Sequence, residues 1–173
     1  MKRNFGKALK KAYPLIYKPI WKENLLLSFI DIFHGLSFAV VIILTQYFFD
    51  SVTVCVSGNG SRDIVIWAAA ALIGAQVVSQ ILNGFVNFYA DVVREKGYGR
   101  ICAMIQKKIS RMCPVEFEKN SFLTDLNMAD EGAKEACSMV DTLNSILTFY
   151  VPYFALMSVY MYRLDGSLIA AVF

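Results

Sequence analysis

Three apolar runs dominate the pattern of hydrophobic and polar positions: Leu25 to Phe49, Ile64 to Ala90 and Met139 to Tyr162. Each is at least as long as the roughly 20 residues a helix needs to cross about 30 Å of hydrocarbon at ~1.5 Å per residue. The pattern predicts an all-α membrane protein with long transmembrane helices extending beyond the bilayer. Before the first run, residues 5–22 mix Phe5, Leu9, Tyr13, Ile16, Tyr17 and Trp21 with lysines, the composition of an amphipathic helix lying among lipid headgroups. Span 1 is expected over 25–49. Span 2 begins near Ile64, with Asp63 as its N-cap, and no strong breaker follows until Pro114, so one helix of ~75 Å is expected over 64–113. Residues 117–130 then form a short polar helix, 133–162 the third span, and 167–173 the start of a fourth.

The first run is too long for the apolar core of a signal peptide. Gln46, Tyr47, Phe48 and Phe49 stand where a small-residue cleavage site would be, so the run is read as a retained helix.

Composition agrees with this reading, since 57% of the 173 residues are hydrophobic and 18% charged, well to the apolar side of a soluble domain. The net charge of +3 says less than where the cations fall. Lys2, Arg3, Lys7, Lys10, Lys11, Lys18 and Lys22 precede the first run. Arg94, Lys96, Arg100, Lys107, Lys108, Arg111, Lys119 and Lys134 lie between the second and third. Only Arg62 and Arg163 occupy the other two connections. The positive-inside rule then places the N-terminus and 91–137 in the cytoplasm and 50–63 and 163–167 outside, in a multi-pass protein of the cell membrane. Basic clusters beside apolar runs select anionic lipid headgroups as partner rather than nucleic acid. Cys102, Cys113 and Cys137 fall on the reducing side with Cys55 alone outside, and no CxxC or Cys/His cluster occurs, so neither a disulfide framework nor a metal site is expected.

Three constellations carry candidate chemistry. Gln76, Gln80, Asn83 and Asn87, continued by Asp91 and Arg94, point within about 80° of one another on the second helix. Such a stripe avoids lipid and either lines a translocation path or hydrogen-bonds neighbouring helices. Ala71, Ala75 and Ser79, on a neighbouring line, suit close helix packing. Asp31 and His34 lie three apart on one face of the first span, an intramembrane pair that serves as a proton or cation site or is structural, with Asp31 pairing with a cytoplasmic-side lysine or with His34 itself. On the third helix Ser138, Asp141, Ser145 and Thr148 share a face expected to meet the stripe of the second, and Pro152 marks a kink. The sequence contains no phosphate loop, nucleophile elbow, zinc motif or dinucleotide fingerprint, and thus no catalytic motif; cofactor-binding and metal residues are not expected.

The order of these elements, with the proline-led stretch "FEKNSFLTDLNMADEGA" at 117–133 and the "LDGSL" turn at 164–168, resembles the N-terminal part of a type I ABC exporter transmembrane domain. The resemblance implies that 117–130 is a coupling helix seated in a groove of an ATP-binding domain. Phe117 and Glu118 match the family's lead-in, Ser121 caps, and Phe122, Leu123, Asp125 and Leu126 form the contact turn. Thr124 departs from the family, which often carries an aromatic there. It further implies an ATP-driven exporter of a peptide, drug or lipid, working as a homo- or heterodimer of half-transporters. ATP and magnesium would be held by the ATP-binding domain, which this chain lacks; the chain is expected to be a truncation, inactive alone. Two rival readings are a complete three-span membrane protein acting as a partner or regulatory subunit, and a small proton- or ion-coupled carrier built on Asp31, His34 and the Gln/Asn stripe.

Overall fold

The computed structural model describes residues 10, 13, 14, 16–118 and 120–164, of which 94% are helical and none is in a strand. A 3-10 turn, Lys18–Ile20, leads into helix α1, Trp21–Val56, which is followed by α2, Arg62–Ile109. A second 3-10 turn, Pro114–Glu118, precedes α3, Asn120–Ser145; a π turn, Ile146–Tyr150, joins it to α4, Val151–Leu164. Three stretches are long and apolar enough to cross a membrane: Lys18–Val56, Arg62–Ile109 and Ser121–Leu164. They fit a multi-pass membrane protein.

The helix ends follow local chemistry. At the end of α1 the amide of Gly58 donates to the Cys55 carbonyl at 3.1 Å and that of Asn59 to the Val54 carbonyl at 3.2 Å, with Gly58 at φ +82°. This is a Schellman cap, whose left-handed residue favours glycine. It carries α1 past the expected end at Phe49 to Val56. Ser61, rather than Asp63, caps α2: its Oγ accepts the Asp63 amide at 3.2 Å, and Asp63 sits in the first turn, where the helix dipole favours a carboxylate. Helix α2 stops at Ile109, four residues short of the sequence expectation. The turn that follows is tightened by the Arg111 amide on Lys108 and the Met112 amide on Ile109, and Cys113 is kept out of the helical region by Pro114.

The third helical stretch differs from expectation in a second way. Residues 117–130 do not form a helix of their own, because α3 runs unbroken from Asn120 through Ser145. Nothing between 128 and 134 can stop it: there is no proline, and Gly132, exposed, costs about 1 kcal/mol against alanine. Ser121 lies inside the first turn of α3, not at its cap. Of the expected amphipathic helix at 5–22, residues 5–9 lie outside the described residues, as do 167–173 and all but 162–164 of the external turn.

The contacts divide into two compact units. The first comprises the described residues up to Leu26 with Phe88–Asn144. Its centre is Ile16, Cys137 and Val140, with Tyr13, Tyr98, Ile101 and Ala136 partly buried around them. Gly97 permits the approach: a Cβ there would stand 3.3 Å from Ile16 Cγ2 and 3.6 Å from Ile20 Cδ1. A glycine that looks expensive in a helix interior is thus where another segment crosses. The Tyr98 hydroxyl, on α2, donates to Asp130 Oδ1 on α3 at 2.5 Å, and Lys134 Nζ pairs with Asp130 Oδ2 at 2.9 Å. All three lie outside the apolar runs. The phenol and then the ammonium hold the Asp130 carboxyl below its ordinary range, and the carboxylate in turn raises the Tyr98 phenol.

The second unit comprises Leu27–Asn87 with the residues from Ser145 onward. Its buried positions are few and half of them small: Leu27, Asp31, His34, Gly35 and Ala39 on α1, Ala68 and Ser79 on α2, and Met157 on α4. Small residues let apolar helices approach closely, which is how packing is achieved where lipid supplies no hydrophobic driving force. Large apolar side chains such as Phe29, Phe33, Trp67, Ile73 and Phe85 point outward instead.

Candidate functional site

The second unit buries a carboxylate and an imidazole side by side. Asp31 is 3% exposed and His34 is 9% exposed, one helical turn apart on α1. The Thr148 hydroxyl, in the π turn, donates to Asp31 Oδ2 at 2.6 Å, within the range of a hydroxyl-to-carboxylate bond. The His34 ring lies against Phe149, centroids 4.9 Å apart, and its Nδ1 has no hydrogen-bond partner among the described residues.

Sequence explains why the chain folds this way. Pro152 has no amide hydrogen, so the carbonyl four residues before it, on Thr148, loses its helical donor. The helix widens there: the Val151 amide reaches back five residues to the Ile146 carbonyl. Gly35 then admits the widened turn, since a Cβ at 35 would stand 2.6 Å from the Phe149 carbonyl oxygen. Twelve residues beyond Thr148, the Tyr160 hydroxyl donates to Gln46 Oε1 at 2.6 Å. Two contacts with the same order along both chains set α1 parallel to the Ile146–Leu164 segment in this unit.

Thr148 therefore meets the first span rather than the stripe of the second, which corrects the expectation for that face. Asp31 takes Thr148 as hydrogen-bond partner, and among the described residues no lysine or arginine reaches it. Gly35 and the π turn were missed from sequence, although a single glycine beside the one histidine and a proline inside the third apolar run were the available signals.

The stripe is laid out differently from a packed face. Gln76, Gln80 and Asn87 are exposed and Asn83 half-buried, with Asn87 Nδ2 donating to Asn83 Oδ1 at 3.2 Å within the helix. Gln76 borders a shallow groove of about 350 Å³ shared with Val41, Thr45, Leu72, Ile73 and Val77. Of the neighbouring small residues Ser79 is buried, Ala75 half-buried and Ala71 exposed.

In the first unit the expected contact turn is only partly presented. Leu123 and Asp125 are exposed, Phe122 and Leu126 half-buried. Phe122 packs edge-on against Phe117 with centroids 5.0 Å apart, joining the 3-10 turn to the start of α3. Val115, Phe117, Leu123 and Met128 leave apolar surface exposed around it. Among the described residues no three His, Cys, Asp or Glu side chains gather as a metal site would require. Compared with protein-family models, with curated proteins and with solved structures, the chain matches none.

Proposed function

We propose that this chain is membrane-domain material of an ATP-driven exporter of the type I ABC kind, seated in the cell membrane with its N-terminus in the cytoplasm. The observation that carries the reading is the segment Pro114–Met128, which exposes Val115, Phe117, Leu123 and Met128 outside any apolar run. Exposed apolar side chains on a polar connection mark a protein contact. In this reading Leu123, Asp125 and Met128 touch an ATP-binding domain, while Phe122 and Leu126, half-buried, hold the turn in shape. Nothing among the chain's own residues suits a nucleotide or its magnesium ion, since no phosphate loop occurs, so both belong to the partner domain. The stripe of exposed Gln76, Gln80 and Asn87 with half-buried Asn83 supports the same reading: polar groups on a spanning helix need water or further helices, and a translocation path in a dimer supplies both.

The test is a photo-crosslinking amino acid at Leu123 or Met128 in cells that carry the native gene neighbourhood. Capture of an ATP-binding polypeptide, abolished by Leu126→Asp, is the expected result. Efficient labelling of lipid alone, or of a polypeptide without a phosphate loop, would overturn the assignment and favour a small three-span partner subunit.

A further inference from the structure

No lysine or arginine occurs anywhere in residues 23–61, 63–93 or 135–162. The three apolar runs therefore contain no permanent cation, yet Asp31 is buried in the first of them. A carboxylate left without a countercharge there is costly, and one hydroxyl donor from Thr148 does not offset this. The single histidine of the chain is, among the described residues, the only basic group beside it, one turn away and also buried, with no hydrogen-bond partner for Nδ1 among those residues. The segment facing the pair, Ile146–Leu164, contributes Thr148; its titratable or charged residues are Tyr150, Tyr153, Tyr160, Tyr162 and, fifteen residues beyond Thr148, Arg163, none of them a carboxylate, while Asp141 at the start of the third run belongs to the other unit. On α1 itself the nearest other ionisable residue is Glu23, eight residues before Asp31 and in the other unit.

We infer that Asp31 and His34 together form a proton-binding site that holds a single proton in the membrane-spanning part of the chain. With the proton on either group the pair is neutral in sum, as a carboxylic acid beside an imidazole or as a carboxylate beside an imidazolium. Without it the bilayer contains an uncompensated negative charge. The proton belongs to the pair rather than to one residue. Thr148 fixes one carboxylate oxygen and the π turn fixes Thr148, so the site is built by two elements. It does not depend on the exporter reading.

The whole chain in lipid nanodiscs tests this with two probes, the nitrogen resonances of its one histidine and the infrared band of a protonated carboxyl group. In potassium buffer the two signals are expected to change together in a single transition. Between about pH 5 and 8 the wild-type chain takes up about one proton more than an Asp31→Asn/His34→Gln double variant. Asp31→Asn retains an acceptor for Thr148; it removes the carboxyl band and displaces the histidine transition by more than tenfold in proton concentration. A histidine transition indifferent to Asp31→Asn, or equal proton uptake by wild type and double variant, overturns the proposal. Displacement of the proton by sodium at constant pH also overturns it, making the site one for a metal cation. Should Asp31→Asn fail to fold, His34→Gln gives the same decision from the carboxyl band alone, which must shift if the proton is shared.

Discussion

Replacing Gly35 by alanine adds one methyl group where the backbone of the π turn comes close to α1. The new Cβ would stand 2.6 Å from the Phe149 carbonyl oxygen and 3.3 Å from the carbonyl carbon and Cα of the same residue. Carbon–oxygen contacts settle near 3.3 Å, so the two segments must part by roughly 0.7 Å. No side-chain rotation relieves this, because every atom involved is backbone or Cβ. Overpacking of this kind costs about 1–3 kcal/mol, and the gain in helix propensity returns about 1 kcal/mol or less. The Thr148–Asp31 bond, now 2.6 Å, would lengthen to about 3.3 Å, beyond a good hydroxyl bond, at a further cost of about 0.6–1.7 kcal/mol. The net expectation is destabilisation by about 1–3 kcal/mol. Gly84→Ala supplies the control, since nothing lies within 4 Å of its added methyl, and it should be neutral or slightly stabilising. Reversible unfolding by denaturing detergent in mixed micelles measures both. A double-mutant cycle with Thr148→Val separates the lost hydrogen bond from the clash: Thr148→Val should cost less in the Gly35→Ala background than in the wild type. If Gly35→Ala is as stable as Gly84→Ala, the parallel packing of α1 on the π turn is wrong.

Gly97→Leu should displace the Ile16–Ile20 segment, costing about 1–3 kcal/mol, and should speed maleimide labelling of the buried Cys137. In the unmodified chain thiol labelling should run in the order Cys113 first and Cys137 last, because Cys113 is exposed while burial both hides the Cys137 thiol and pushes its ionisation up; equal rates would refute the first unit's core. Asp130 titrates below its ordinary value when folded, so its contribution is present above about pH 4 and is lost as acid protonates it in the folded state. Acid should therefore loosen the Tyr98–Asp130 contact, raising Cys102 labelling after a brief low-pH pulse, and Asp130→Asn should remove that acid dependence.

How much was legible from sequence differs by element. The apolar runs gave the three spanning helices, because length and composition alone decide whether a helix fits the hydrocarbon. The break expected near 130–133 was not there: the segment's role in the resemblance suggested a separate helix, whereas its residues have no stop signal. The Thr148 partner of Asp31 was not legible, for a different reason. It is 117 residues away on a turn whose shape depends on a missing amide hydrogen at Pro152, and no periodicity encodes that.

What the sequence determined by itself is the inventory: three apolar helices, a carboxylate in the first run and another near the start of the third, one histidine, no fixed cation among them, and a connection that mixes polar and apolar residues. Local chemistry sets these, so local reading finds them. Only the tertiary structure decided which polar groups face one another, because that depends on helix register, and register was fixed by two small facts of packing. Gly35 lets a backbone carbonyl approach, and the π turn rotates Thr148 toward Asp31. Those two contacts turn a carboxylate and a histidine three residues apart into a buried site.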